Sequence, residues 1–244
     1  MNPYDGTAAT IIPQNVEKVP LFHWRPGARL LAVGSRDGAD FSGDLSVDRR
    51  TYRRPVDAAV LREAQAKQRL DGLLACWSTS LAYVQGLATL RTARQGALVI
   101  ATPGVGDAQL LEQVLPEVDA WLLLCHASPG PLAERIIAGG AHVEVLLGLV
   151  DGTVPSLPWH RVSAVHLCAV RPAEAERLDA WCIAARQALP PGVAIYDHHH
   201  PHTDCTSCGE RIVWRHAGRS RIDGLDASGA CTGCGTVSPI RLLS

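Results

Sequence analysis

The sequence predicts an α/β fold: a parallel sheet, open or curled into a barrel, followed by a small C-terminal metal-binding module. Three observations predict it. Short apolar runs rich in Leu, Val and Ile recur along the chain, with helical patterns between several of them. Two knuckles, Cys205-Thr206-Ser207-Cys208-Gly209 and Cys231-Thr232-Gly233-Cys234-Gly235, follow the last run. A length of 244 residues with 47% hydrophobic content suits one large domain and a small appendage.

Residues 1–28 contain Pro3, Pro13, Pro20 and Pro26 and are expected to form an irregular N-terminal arm. Strands are expected at residues 29–35, 72–77, 97–101, 120–125, 143–149, 162–168 and 193–196, each short and apolar as strands covered on both faces are. A helix over 56–70 lies between Pro55 and Asp71-Gly72. Another over 108–114 follows Asp107 as N-cap, and a third over 173–189 ends at Pro190-Pro191-Gly192. The connections 126–142 and 150–159 leave little room for a full crossover helix. The loop 35–48, with Asp37, Asp40, Asp44 and Asp48, reads as hydrated surface or a weak cation site.

In the module, the two-residue spacing of each knuckle lets one tight turn aim two thiolates at a single ion, and Gly209 and Gly235 can supply the positive φ that relieves the turn. Cys205, Cys208, Cys231 and Cys234 together provide four sulfurs, enough to close a tetrahedral site for zinc, with iron in a rubredoxin-like setting as the alternative. A site closed by four protein sulfurs leaves no position for water or substrate, so the pattern points to a metal rather than to an activity.

In a parallel α/β sheet, function gathers where the C-terminal strand ends meet the loops. Here three predicted strands reach Cys76, Cys125 and Cys168 near their ends, His126 follows Cys125, and the last strand runs into Asp197 and His198-His199-His200-Pro201-His202. Two readings stand. Free cysteines pack as small hydrophobes in a core. Alternatively Cys76, Cys125, His126, His166, Cys168 and His198 ring one mouth as a second metal or reactive site.

A net charge of −1 argues against a broad nucleic-acid surface. No apolar run approaches the length that spans a bilayer, so no membrane partner is expected. Residues 1–20 lack the order of a secretory signal, and eight cysteines then read as thiols in a reducing cytoplasm. There is no G-x-S-x-G elbow, H-E-x-x-H pair or phosphate loop, which leaves hydrolase readings without support.

Several stretches carry a resemblance. They are Val19-Pro20-Leu21-Phe22-His23-Trp24-Arg25-Pro26-Gly27 with the strand after it, Ile100-Ala101-Thr102-Pro103-Gly104, Leu115-Pro116-Glu117-Val118-Asp119-Ala120, and Pro158-Trp159-His160 with His166. Ile195-Tyr196 and Thr203-Asp204 leading into the knuckles complete the series. In this order the chain resembles the AmmeMemoRadiSam-type radical SAM proteins, relatives of pyruvate formate-lyase activating enzymes. The resemblance implies a partial (β/α) barrel of the radical SAM type over 29–200 and a rubredoxin-like zinc ribbon over 201–244.

The departures are as informative. The family holds its [4Fe–4S] cluster on a C-x3-C-x2-C loop after the first strand, but this chain has no cysteine between Met1 and Ala75. Its Asn-Glu-Pro-like grip on S-adenosylmethionine is replaced by Cys76-Trp77-Ser78-Thr79-Ser80-Leu81, and its Asp-Leu-Lys-like strand end by Leu124-Cys125-His126. The expectation is a degenerate barrel with neither [4Fe–4S] cluster nor S-adenosylmethionine, not a working radical SAM enzyme. It would be a metal-binding, non-catalytic docking, maturation or assembly factor with a protein partner. The alternatives are a rubredoxin-like iron electron carrier and a re-purposed enzyme with a relocated metal or Fe–S site at the barrel mouth.

Overall fold

A computed structural model describes residues 7–8, 10–34, 54–55, 57–76, 84–125, 128–149, 153–169, 176–197 and 200–242. The strands β1 (Thr7–Ala8), β2 (Thr10–Asn15), β3 (Arg29–Gly34) and β4 (Arg54–Pro55) come first. Helices and strands then alternate as α1 (Ala58–Gln68), β5 (Gly72–Cys76), α2 (Val84–Ala93), β6 (Ala97–Thr102), α3 (Ala108–Val114) and β7 (Ala120–Cys125). There follow α4 (Ala133–Gly139), β8 (Val143–Leu149), β9 (Ala164–Ala169), α5 (Leu178–Ala188) and β10 (Ile195–Tyr196). The ribbon adds β11 (Thr203–Asp204), β12 (Arg211–His216) and β13 (Arg219–Ile222) as a separate antiparallel sheet.

The main sheet has eight strands in the order β2-β3-β5-β6-β7-β8-β9-β10. It is open, with β2 and β10 at its edges. Every pair from β3 to β10 is parallel, and β2 alone runs antiparallel, beside β3. Strand order therefore follows chain order, and the crossovers do not reverse across the sheet.

The alternation of side chains along each strand divides the core into two faces. Leu31, Leu73, Ile100, Leu123, Val145 and Leu167 share one cluster with Leu61, Leu90, Leu111, Ile136 and Cys182, one residue from each of the five helices. The intervening residues Leu30, Ala32, Leu74, Val99, Leu122 and Leu146 form the other cluster, with Val16, Val19, Leu21 and Trp24 of the N-terminal arm. All described helices thus cover one face, and the arm lies on the other.

Local chemistry explains the helix ends. Asp57 accepts from the Val60 N–H at 2.8 Å and caps α1. Asp107 accepts from the Gln109 and Leu110 N–H groups and caps α3, as its position before an apolar helix predicts.

The seven expected strands all form, most within a residue or two of their expected bounds. The arm departs from expectation, because residues 10–15 add an edge strand to the sheet. Pro13 disguises it in the sequence, yet an edge strand tolerates a proline whose missing N–H faces away from the ladder. Connection 126–142 holds a seven-residue helix, α4, about two turns long, despite its length. Among the described residues, connection 150–159 leads only to a 3-10 turn at Trp159–Arg161. Helix α2 was not expected at all. The acidic loop at 35–48 and its four aspartates lie outside the described residues.

Close strand packing makes one substitution diagnostic. A Cβ on Gly72, at the start of β5, would sit 2.3 Å from the Ala97 carbonyl oxygen of the neighbouring β6. Gly72→Ala is expected to destabilise the fold by about 1–3 kcal/mol, as overpacking in a core does. Urea unfolding of the variant beside the parent chain measures it.

Candidate metal centre

The ribbon begins where β11 leads into the first knuckle. The Cys205 N–H donates to the Glu210 carbonyl at 2.7 Å and the Gly209 N–H to the Cys205 carbonyl at 2.9 Å, closing a tight turn with Gly209 at φ 75°. The second knuckle repeats this geometry. The Gly235 N–H donates to the Cys231 carbonyl at 2.8 Å, and Gly235 has φ 74°. A side chain at either glycine would be strained, which is why the motif carries glycine there. Asp226 orders the approach to the second knuckle by accepting from the Ser228 and Ala230 N–H groups at 2.8 and 3.0 Å.

The two turns bring the four sulfurs within 4.8 Å of one another. Cys205 and Cys234 are 3.6 Å apart and Cys208 and Cys231 are 3.7 Å apart. Four sulfurs at tetrahedral corners around an ion with metal–sulfur bonds of about 2.3 Å would be about 3.8 Å apart. These two separations match that figure and far exceed a disulfide bond of about 2.05 Å. The donor set and its spacing therefore fit a tetrahedral thiophilic ion. Cys205 and Cys231 are buried and Cys208 and Cys234 exposed, so such an ion would sit between the ribbon's core and its rim. That core is small: Ile212, Val213 and Ile240 are its buried residues besides the two cysteines. A unit of this size normally needs a metal or a disulfide to hold its fold.

Beside the ribbon lies a second constellation, of whose side chains the sequence singles out only His166 as a site candidate. Glu144, on β8, is fully buried on the face opposite the helices. Its carboxylate accepts from the backbone N–H groups of Phe22, His23 and Trp24 at 2.7, 2.9 and 3.1 Å. It also accepts from His142 Nε2 at 2.9 Å and His166 Nε2 at 2.7 Å. Burial pushes the Glu144 carboxyl's pKa up, but the hydrogen bonds from His142 and His166 outweigh it and hold the carboxyl well below the usual range.

From this hub the network reaches the ribbon. His23 Nε2 lies 2.6 Å from the Tyr196 hydroxyl, which lies 2.7 Å from Thr203 Oγ1 on β11. Arg215, on β12, donates to Thr203 Oγ1 at 2.7 Å, to the Pro201 carbonyl at 3.1 Å and to the Phe22 carbonyl. Its guanidinium lies 4.3 Å from the centre of the Phe22 ring. Residues 22–24 of the arm are thus held by Glu144 through their N–H groups and by the ribbon through Phe22. The ribbon's C-terminal end also pairs with the arm, the Arg25 N–H donating to the Arg241 carbonyl at 2.7 Å.

The strand-end cysteines do not converge. Cys125 is buried in the helix-side core, whereas Cys76 and Cys168 pack on the opposite face. Cys76 is on β5 and Cys168 on β9, with three strands between them. Burial pushes the Cys76, Cys125 and Cys168 thiols up to about 12, the behaviour of packed neutral thiols rather than thiolate ligands. His166 Nε2 is committed to Glu144. His126 and His198 lie outside the described residues. Among the described residues, the only group of three or more His, Cys, Asp or Glu with metal-ligand spacing is the ribbon's four cysteines.

One signal could have revealed Glu144. It is the single charge in the run Val143-Glu144-Val145-Leu146-Leu147, and a charge in a strand covered on both faces must find partners. No protein-family model, curated protein or solved structure matches the chain.

Two measurements test the network. Glu144→Gln keeps the side chain's size but puts an N–H donor among N–H donors, and is expected to cost about 3–5 kcal/mol in urea unfolding. Acid should also weaken the fold. Burial lowers the His23 pKa from 6.5 to about 4, so between those values the unfolded chain binds more protons than the folded one. The contribution of His23 is complete above pH 6.5 and lost as pH falls to about 4, amounting to about 3 kcal/mol. Glu144 adds its own loss below its ordinary value of 4.5. Urea midpoints measured against pH should fall across this window, with a shallower slope in His23→Gln.

Proposed function

We propose that the protein is a metal-binding, non-catalytic module in which a zinc ion on Cys205, Cys208, Cys231 and Cys234 holds the ribbon against the sheet. The observation that carries this reading is the set of four sulfurs within 4.8 Å of one another, with two of their separations at 3.6 and 3.7 Å. Four protein thiolates complete the ion's coordination, so its role is structural. A ribbon with so few buried apolar residues depends on that ion for its fold.

The main domain, in this reading, is a degenerate radical SAM-like partial barrel. Two features support it: strand order follows chain order, and the described helices lie on one face. Both are expected of a (β/α) barrel left open along one side. With the cluster loop lacking cysteine, the domain would act by docking, as a maturation or assembly factor for a protein partner in the reducing cytoplasm.

Elemental analysis and an optical spectrum of untagged protein test the metal assignment. One zinc per chain and no visible absorption is the expected result, with the zinc lost in Cys205→Ser. Stoichiometric iron with thiolate-to-iron absorption would contradict it and make the ribbon a rubredoxin-like electron carrier. No turnover of S-adenosylmethionine is expected from the purified protein, and turnover would overturn the non-catalytic reading.

A further inference from the structure

A cavity of about 500 Å³ lies between the end of β10 and the ribbon, bounded on one side by residues 194–196 and on the other by Cys205 and Thr206 of the first knuckle and by residues 236–239, which follow the second. Its volume is that of a small-molecule site. His23, Arg186, His200, His202, Thr206 and Ser238 are among the residues that line it.

Hydrogen bonding decides what these groups can offer. His202 Nδ1 accepts from the Arg215 backbone N–H at 2.9 Å, so in the neutral ring the proton is on Nε2. Burial lowers the His202 pKa and favours that neutral form. The ring is therefore a donor at Nε2 and has no lone pair there for a metal ion. Arg186 adds a permanent positive charge, held in place by its 2.8 Å contact with Asp197. His200 Nδ1 lies 2.9 Å from the other oxygen of Asp197, so it donates there. His23 is 1% exposed, its Nε2 is taken by Tyr196, and its Nδ1 has no hydrogen-bond partner among the described residues. That atom is closed off from solvent, so His23 forms part of the cavity's buried end rather than a donor presented to a ligand. Of the acidic groups at the cavity, Asp204 is paired with Arg211 at 2.9 Å. Ile195, Ile212 and Val237 supply apolar wall between these donors.

We propose that this cavity binds a small anionic metabolite, a carboxylate or phosphate group on a compact organic body, with His202 Nε2 and Arg186 as donors to the anion and His23 at the buried end. The site joins the two parts of the molecule. Its ligand contacts β10 and the ribbon together, and so favours the docked arrangement over any in which they separate.

The test is NMR of the histidine side-chain nitrogens in the metal-loaded chain, titrated separately with inorganic phosphate and with acetate. A saturable shift of the His202 and His23 signals in the millimolar range is expected with one of the two anions. Saturation by phosphate assigns a phosphate-bearing ligand, and saturation by acetate a carboxylate. His202→Ala and Arg186→Gln should each weaken the response at least about tenfold. Because Arg186 also pairs with Asp197, Val237→Trp provides a second reading, filling the cavity from an exposed position outside both knuckles and abolishing saturation while the ribbon retains its metal. No saturation by either anion overturns the proposal, as does saturation that these substitutions leave unchanged.

Discussion

Burying the Glu144 carboxylate away from water forces five N–H groups from three segments to converge on it: the backbone of residues 22–24, His142 beside it on the chain and His166 on the next strand. Taking a carboxylate out of water costs several kcal/mol even after relaxation, and only charge-assisted hydrogen bonds in a low-dielectric setting offset a cost of that size. The arrangement therefore holds only if all its members are present. That requirement fixes the path of the arm across the sheet. It also places Phe22 where the ribbon's Arg215 can reach its carbonyl and stack on its ring.

The sheet's two faces have different work. The helix side is predominantly apolar and is held mainly by burial, with Gln65 of α1 donating to the Ala93 carbonyl at the end of α2. The other side is apolar toward β3, β5, β6 and β7, where the arm's Val16, Val19, Leu21 and Trp24 pack. Toward β8, β9 and β10 it turns polar, at Glu144, His166 and Tyr196. Polar side chains fix partners and directions as apolar ones do not, so the ribbon docks at this end of the sheet in one orientation.

How much of this was legible in the sequence follows from the range of each interaction. The strands at 72–77 and 120–125 announce themselves locally, as runs of Leu and Ala bounded by Gly72 or Asp119, and the structure forms them there. The four cysteines are equally legible, because a knuckle's geometry is contained within its own residues. Strand β2 was not legible, since Pro13 argues against a strand unless its position at the sheet's edge is known. Cys76, Cys125 and Cys168 end or nearly end their strands alike in sequence, but the alternation of the pleat sends Cys125 to one face and the other two to the opposite one. The Glu144 network was the least legible of all. Its backbone partners lie more than a hundred residues away, and no local pattern encodes them.

The metal centre and the Glu144 hub meet through Arg215, which belongs to the ribbon yet is buried against the arm and Tyr196. If the four-cysteine ion holds the ribbon's fold, removing it must release Arg215 and loosen the arm that Glu144 holds. Hydrogen exchange of the backbone amides of Phe22, His23 and Trp24, measured before and after a chelator strips the metal, tests this directly. The account predicts that metal removal speeds exchange at these three amides as well as within the ribbon. Faster exchange confined to the ribbon, with residues 22–24 unchanged, would contradict it.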